Sequence, residues 1–132
     1  ESWSMGAKIY LYDSFEFLRS QEEGVVFSYY TNGKIINYAD KSNFMDTDFA
    51  YAPNLTERWN DMQIFIKTKD LNATEDFIHK YNIKYILIDK EMKEDLFADD
   101  EEGLLFVLKY SPHKFYLAFK DEEVEIWREV VL

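Results

Sequence analysis

The segment Ile83-Lys84-Tyr85-Ile86-Leu87-Ile88-Asp89 constrains this chain more than any other. A strand with one wet face alternates apolar and polar side chains, whereas Tyr85 to Ile88 is apolar without interruption. Such a run must be covered on both faces, as in a parallel or mixed sheet with helices on either side. The 132 residues suffice for one such domain and leave little room for a second. No repeat, low-complexity tract or Pro/Ser linker divides them, and Pro53 and Pro112 are the only prolines. Residues 1–12 read as a flank or an expression remnant, and 13–132 as a single α/β domain.

The helices that such a strand needs are visible in the pattern. Asp13 offers a cap to a short amphipathic helix with Phe15, Leu18 and Phe17 inward, stopping before Gly24. Val25 to Tyr30 follows as a β-branched and aromatic strand. Asn32-Gly33 next permits two continuations: a hairpin into a strand over Lys34 to Tyr38, or a tight turn into a helix through Ile35, Ile36, Tyr38 and Ala39. Lys41 to Pro53 reads as a short strand and loop. Trp59, Met62, Phe65 and Ile66 keep helical spacing to about Thr68. Asn72-Ala73-Thr74-Glu75 resembles the capped start of another helix, with Phe77, Ile78 and Tyr81 inward and Asn82 as its stop. Met92 and Leu96 suit one or two helical turns. Leu104 to Leu108 reads as a buried helix, and Lys114 to Lys120 with Glu123 to Val130 as a closing hairpin around Asp121-Glu122. The expected fold is therefore a single-domain α/β layered sandwich, a mixed sheet flanked by helices with a C-terminal antiparallel hairpin.

Composition removes several kinds of function. The 26 acidic and 15 basic side chains give a net charge of −11, the wrong sign for phosphate recognition, so no nucleic-acid partner is expected. Acidic lipid surfaces would repel the chain as well. With no cysteine there is no disulfide, thiolate nucleophile or sulfur-ligated zinc. The two histidines, His79 and His113, lack metal-ligand spacing, and the four glycines form neither a dinucleotide fingerprint nor a phosphate loop. No window approaches a membrane span, and no signal-peptide succession opens the sequence. No catalytic residue and no metal ligand is assigned.

What remains are surfaces. The 24 aromatic residues (10 Tyr, 11 Phe, 3 Trp) are many for a chain this size. Tyr29, Tyr30, Tyr38, Tyr51 and Trp59 suit either a sugar-stacking face or core packing. Asp46 and Asp48, with Asp40 nearby, suit either a divalent cation or a solvated loop, and Asp99 to Glu102 reads as a charged surface turn. Asn54-Leu55-Thr56 and Asn72-Ala73-Thr74 match the N-glycosylation acceptor pattern, while a cap at each helix start explains the same residues without a glycan.

The succession of elements resembles the extracytoplasmic C-terminal domain of multi-spanning glycosyltransferases of the C-type fold class, the oligosaccharyltransferase catalytic subunits among them. The resemblance is carried by the helix before Gly24, the stretch Phe27 to Ile36, the acidic Asn43-Phe44-Met45-Asp46, and Tyr81 to Asp89. It covers most of the chain from Asp13 onward. In that family a Trp-Trp-Asp-Tyr-Gly segment helps hold the hydroxyl residue of an acceptor sequon. Laid over this sequence it falls on Tyr29, Tyr30, Thr31, Asn32 and Gly33, keeping the aromatic pair in kind and the glycine in identity, with Thr31 in place of the aspartate. The resemblance implies a domain outside the cell membrane, non-catalytic alone and joined to a membrane-spanning remainder of the same chain. It would lend an acceptor- or sugar-facing surface at Tyr29 to Gly33, Asp46, Asp48 and Trp59. No cofactor is expected in this fragment, and a divalent cation would belong to the parent protein. A free-standing α/β module that binds a basic protein is the alternative.

Overall fold

The computed structural model describes residues 12–28, 42–44, 55–97 and 101–131. Its centre is a five-stranded sheet in the order β2-β1-β3-β5-β4. The strands are β1 (Val25–Phe27), β2 (Ser42–Asn43), β3 (Ile83–Asp89), β4 (Phe115–Lys120) and β5 (Val124–Glu129). β1 runs parallel to both β2 and β3, while β5 lies antiparallel between β3 and β4. The helices are α1 (Tyr12–Arg19), α2 (Leu55–Lys67), α3 (Leu71–Lys80), α4 (Lys90–Leu96) and α5 (Gly103–Tyr110). This is the mixed α/β sandwich with a closing hairpin that the apolar run implies.

β3 is covered on both faces. Ile86 and Ile88 enter a large core with Phe27, Phe44, Met62, Phe65, Phe77, Leu104, Leu108 and Trp127. Tyr85 and Leu87 point the other way, into a smaller cluster with Phe15, Leu18, Val26, Val124 and Ile126, which α1 closes. Phe17 seals the rim of that cluster against the ring of Phe119, 5.2 Å away.

Element ends follow local chemistry. Asn82 takes a left-handed φ of 53° and ends α3, as a short polar side chain tolerates. Gly103 opens α5 at φ 48°, where a Cβ would sit 2.2 Å from the Ile66 carbonyl oxygen at the end of α2. Only glycine allows that approach. Asp121 builds the hairpin turn by accepting from the backbone N–H groups of Glu123 and Val124 at 2.8 and 2.9 Å.

Three expectations change. The cap of α3 is Asp70, whose carboxylate accepts from the Asn72 N–H at 3.0 Å. Asn72 and Thr74 lie inside the helix, because Asp70 takes the extended backbone that a cap needs and Leu71 already turns inward. The strand expected over Val25 to Tyr30 ends at Phe27, and Ser28 follows it buried, its hydroxyl 3.5 Å from Met92 Sδ. Trp59 is 42% exposed, whereas Met62, Phe65 and Ile66 of the same expected stripe are buried. The choice between hairpin and helix at Lys34 to Ala39 lies outside the described residues.

Candidate functional site

Tyr29 to Gly33 directly follow Ser28, and Asp46 and Asp48 follow Phe44. The chain thus leaves two adjacent parallel strands, β1 and β2, at the same end and enters the two segments singled out from sequence. In open α/β sheets the carboxyl ends of parallel strands are where ligands are bound. Tyr29, Tyr30, Thr31, Asn32, Gly33, Asp46 and Asp48 themselves lie outside the described residues.

The described residues show what these exits stand on. Phe44 closes β2 by donating its N–H to the Val26 carbonyl at 2.9 Å. Its ring meets Phe27 at 5.7 Å, Phe77 at 5.2 Å and Tyr81 at 5.0 Å. Phe65 stacks on Phe77 at 4.1 Å and meets Phe27 edge-on at 4.9 Å. Each such pair adds roughly 0.5–1.5 kcal/mol beyond burial, so the strand ends are held by a rigid aromatic floor.

Arg58, from the first turns of α2, extends over that floor. Its guanidinium lies 4.6 Å from the Phe44 ring centre and 5.0 Å from that of Tyr81. Trp59 is the next residue and is exposed, so α2 presents a large ring to solvent beside a cation that is stacked on aromatic rings. Arg58 is not among the residues that the sequence alone singles out. A cation one residue from an exposed tryptophan was the available signal.

Behind Arg58, Lys80 joins α3 to α2. It donates to Glu57 and, at 2.8 Å, to Asp61, which also accepts from the Tyr81 hydroxyl at 2.7 Å. The Lys80 hydrogen bond, followed by that of Tyr81, holds the Asp61 carboxyl below the usual carboxylate range. The hydrogen bonds that it donates to Asp61 and Glu57 hold Lys80 above its ordinary value. Burial, then the bond to Asp61, pushes the Tyr81 phenol up.

A concavity of about 670 Å³ lies where β3 begins and β5 ends, lined by residues including Glu22, His79, Lys84, Tyr116, Arg128 and Glu129. Here the charges face one another. Arg128 donates to the Glu22 carboxylate at 2.9 Å, and Lys84 lies 3.4 Å from the same carboxylate. His79 Nε2 sits 3.0 Å from Glu129 Oε1. The Arg128 bond, then the charge of Lys84, holds the Glu22 carboxyl low. The Tyr85 hydroxyl donates to the Glu22 carbonyl at 2.6 Å, and Arg128 covers the Tyr85 ring at 5.0 Å. The groove ties the Glu22 loop to the sheet.

Two buried acids have structural partners. Asp89, fully buried at the end of β3, caps α4 by accepting from the Met92 N–H at 2.8 Å. Glu125, 3% exposed, accepts from Lys93 at 2.7 Å and from the Trp127 indole N–H at 3.1 Å. Among the described residues no group of three or more His, Asp or Glu is placed to hold a metal ion.

No family model and no curated protein matches the chain. Among solved structures it is similar to the C-terminal globular domain of an oligosaccharyltransferase from Archaeoglobus fulgidus. The TM-score is 0.65 at 13% identity, over 90% of this chain and 96% of that one. The likeness is one of fold. It extends over nearly the whole of both chains. Among the described residues no helix is long and apolar enough to cross a membrane.

Proposed function

We propose that this chain is an extracytoplasmic domain of an integral membrane protein related to oligosaccharyltransferases. In this reading it is non-catalytic alone and lends an acceptor- or sugar-facing surface where β1 and β2 end. The observation that carries the reading is the near-complete coverage of a C-terminal globular domain of an oligosaccharyltransferase by the same fold. The pairing of β1 and β2 supports it, because these parallel neighbours end on the same side of the sheet, at points the sequence continues into Tyr29 and, past Phe44, toward Asp46. Arg58 stands over Phe44 and the next residue of α2, Trp59, is exposed; a cation and a stacking ring suit a glycan bearing hydroxyl or acidic groups. The remaining partner is the membrane-spanning part of the same protein, and any divalent cation would be held there.

The absence of cysteine from these 132 residues makes placement testable once any cysteine elsewhere in the full-length protein is replaced. A single cysteine introduced at the exposed Thr56 (Thr56→Cys) in the full-length gene product should react with a membrane-impermeant maleimide in intact cells. Labelling only after lysis, or a gene product without membrane spans, would refute the reading and favour a free-standing binding module.

A further inference from the structure

The motif Asn72-Ala73-Thr74 is split by the fold. Asn72 is exposed in the first turn of α3, and its backbone N–H is held by the Asp70 carboxylate. Thr74, two residues on, has no exposed surface, and its hydroxyl donates to the Asp70 carbonyl at 3.0 Å. A transferase that selects Asn-x-Ser/Thr must engage the hydroxyl residue as well as the asparagine. In the folded domain the asparagine is presented while the residue that identifies it is hidden.

We propose that Asn72 is an N-glycan acceptor that folding closes: it accepts a glycan while the chain is unfolded and is refused once α3 has formed. In the reaction the Asn72 carboxamide nitrogen forms a bond to the anomeric carbon of a lipid-phosphate-linked oligosaccharide. The bond from that carbon to the phosphate oxygen breaks, its electron pair leaves with the lipid phosphate, and the amide proton passes to a carboxylate of the transferase. A glycan already attached is compatible with the fold, because the Asn72 side chain points to solvent and the core contacts of α3 are made by Thr74, Phe77 and Ile78. Modification in the cell must then precede folding, which rests on the extracytoplasmic placement proposed above. The acceptor chemistry does not.

The test is a reconstituted reaction with a purified oligosaccharyltransferase and its lipid-linked donor, read by mass spectrometry. The substrates are the folded chain in an Asn54→Gln background and a synthetic peptide covering 68–78. The peptide should be modified at Asn72, and the folded chain at least about ten-fold more slowly, since reaching Thr74 requires local opening of the helix. Phe77→Ala in the same background should raise the folded-chain rate toward that of the peptide. Equal rates for peptide and folded chain, or no modification of the peptide by an enzyme that accepts a generic Asn-Ala-Thr peptide, would overturn the proposal. Because the reaction is run with purified components, it stands or falls separately from the labelling experiment on membrane placement.

Discussion

The exits of β1 and β2 and the groove where β3 begins and β5 ends are held together by different forces. At the exits the support is apolar: Phe27, Phe44, Phe65 and Phe77 interlock beneath the strand ends. In the groove the support is ionic, with Glu22 against Arg128 and Lys84, and His79 against Glu129. Apolar packing holds a surface in place without consuming the polar groups above it. Paired charges hold a surface by satisfying one another, and little is left for a ligand. The groove is therefore the poorer candidate, and the aromatic platform the better one.

The contrast should be broken first from the aromatic side. Phe77→Ala removes a ring that touches Phe27, Phe44 and Phe65 and should cost about 3–5 kcal/mol in urea unfolding. A loss no larger than that of a surface substitution would show that the floor is not what holds the strand ends. Gly103→Ala, which pushes a Cβ into the Ile66 carbonyl at a left-handed φ, should cost on the order of 2–3 kcal/mol by the same assay. A smaller effect belongs to Arg58→Ala, which gives up stacking on Phe44 and Tyr81. About 1 kcal/mol is expected, with the Trp59 emission shifting because its neighbour has gone.

The ionic side predicts weaker and more salt-dependent responses. Glu22→Gln should move the urea midpoint less than Arg58→Ala does, and the difference from wild type should shrink in high salt, since both partners reach solvent. A midpoint shift that exceeded that of Arg58→Ala would reverse the comparison. Acid titration adds a check on the network behind Arg58. Asp61 has a folded pKa below its unfolded value, so its contribution is complete above the ordinary aspartate range and is lost as the pH falls through the depressed folded value. Asp61→Asn should flatten the acid-side loss of stability in that window and leave the slope at neutral pH unchanged. An unchanged acid limb would mean that the contacts to Lys80 and Tyr81 contribute nothing to folding.

Much of the fold was legible because its signals are local. The uninterrupted apolar stretch of Ile83 to Asp89 announced a strand covered on both faces. Asn82 announced the end of α3, and Asp121-Glu122 the hairpin turn. Pro112 close behind Leu104 to Leu108 favoured the helix that is found there. The misread cap of α3 shows where local reading fails: Asp70, Asn72 and Thr74 are all capping residues by type, and only the backbone at Asp70 and the burial of Thr74 decide among them. Glu125 was illegible for a different reason. Its burial depends on Lys93, 32 positions away, which no spacing rule connects to a strand residue. At the candidate site, sequence pointed to Tyr29 to Gly33, Asp46 and Asp48 but not to Arg58, because the rings of Phe44 and Tyr81 that hold its guanidinium come together only in the tertiary fold.

The central claim is that the acceptor- or sugar-facing surface lies at the ends of β1 and β2. It is tested most directly by amide and indole NMR shifts on titrating the domain with oligosaccharides and sequon peptides. The account predicts shifts at Tyr29 to Gly33, Asp46, Asp48 and the Trp59 indole, with Glu22, His79, Lys84 and Arg128 unmoved. Shifts confined to those four groove residues would contradict it.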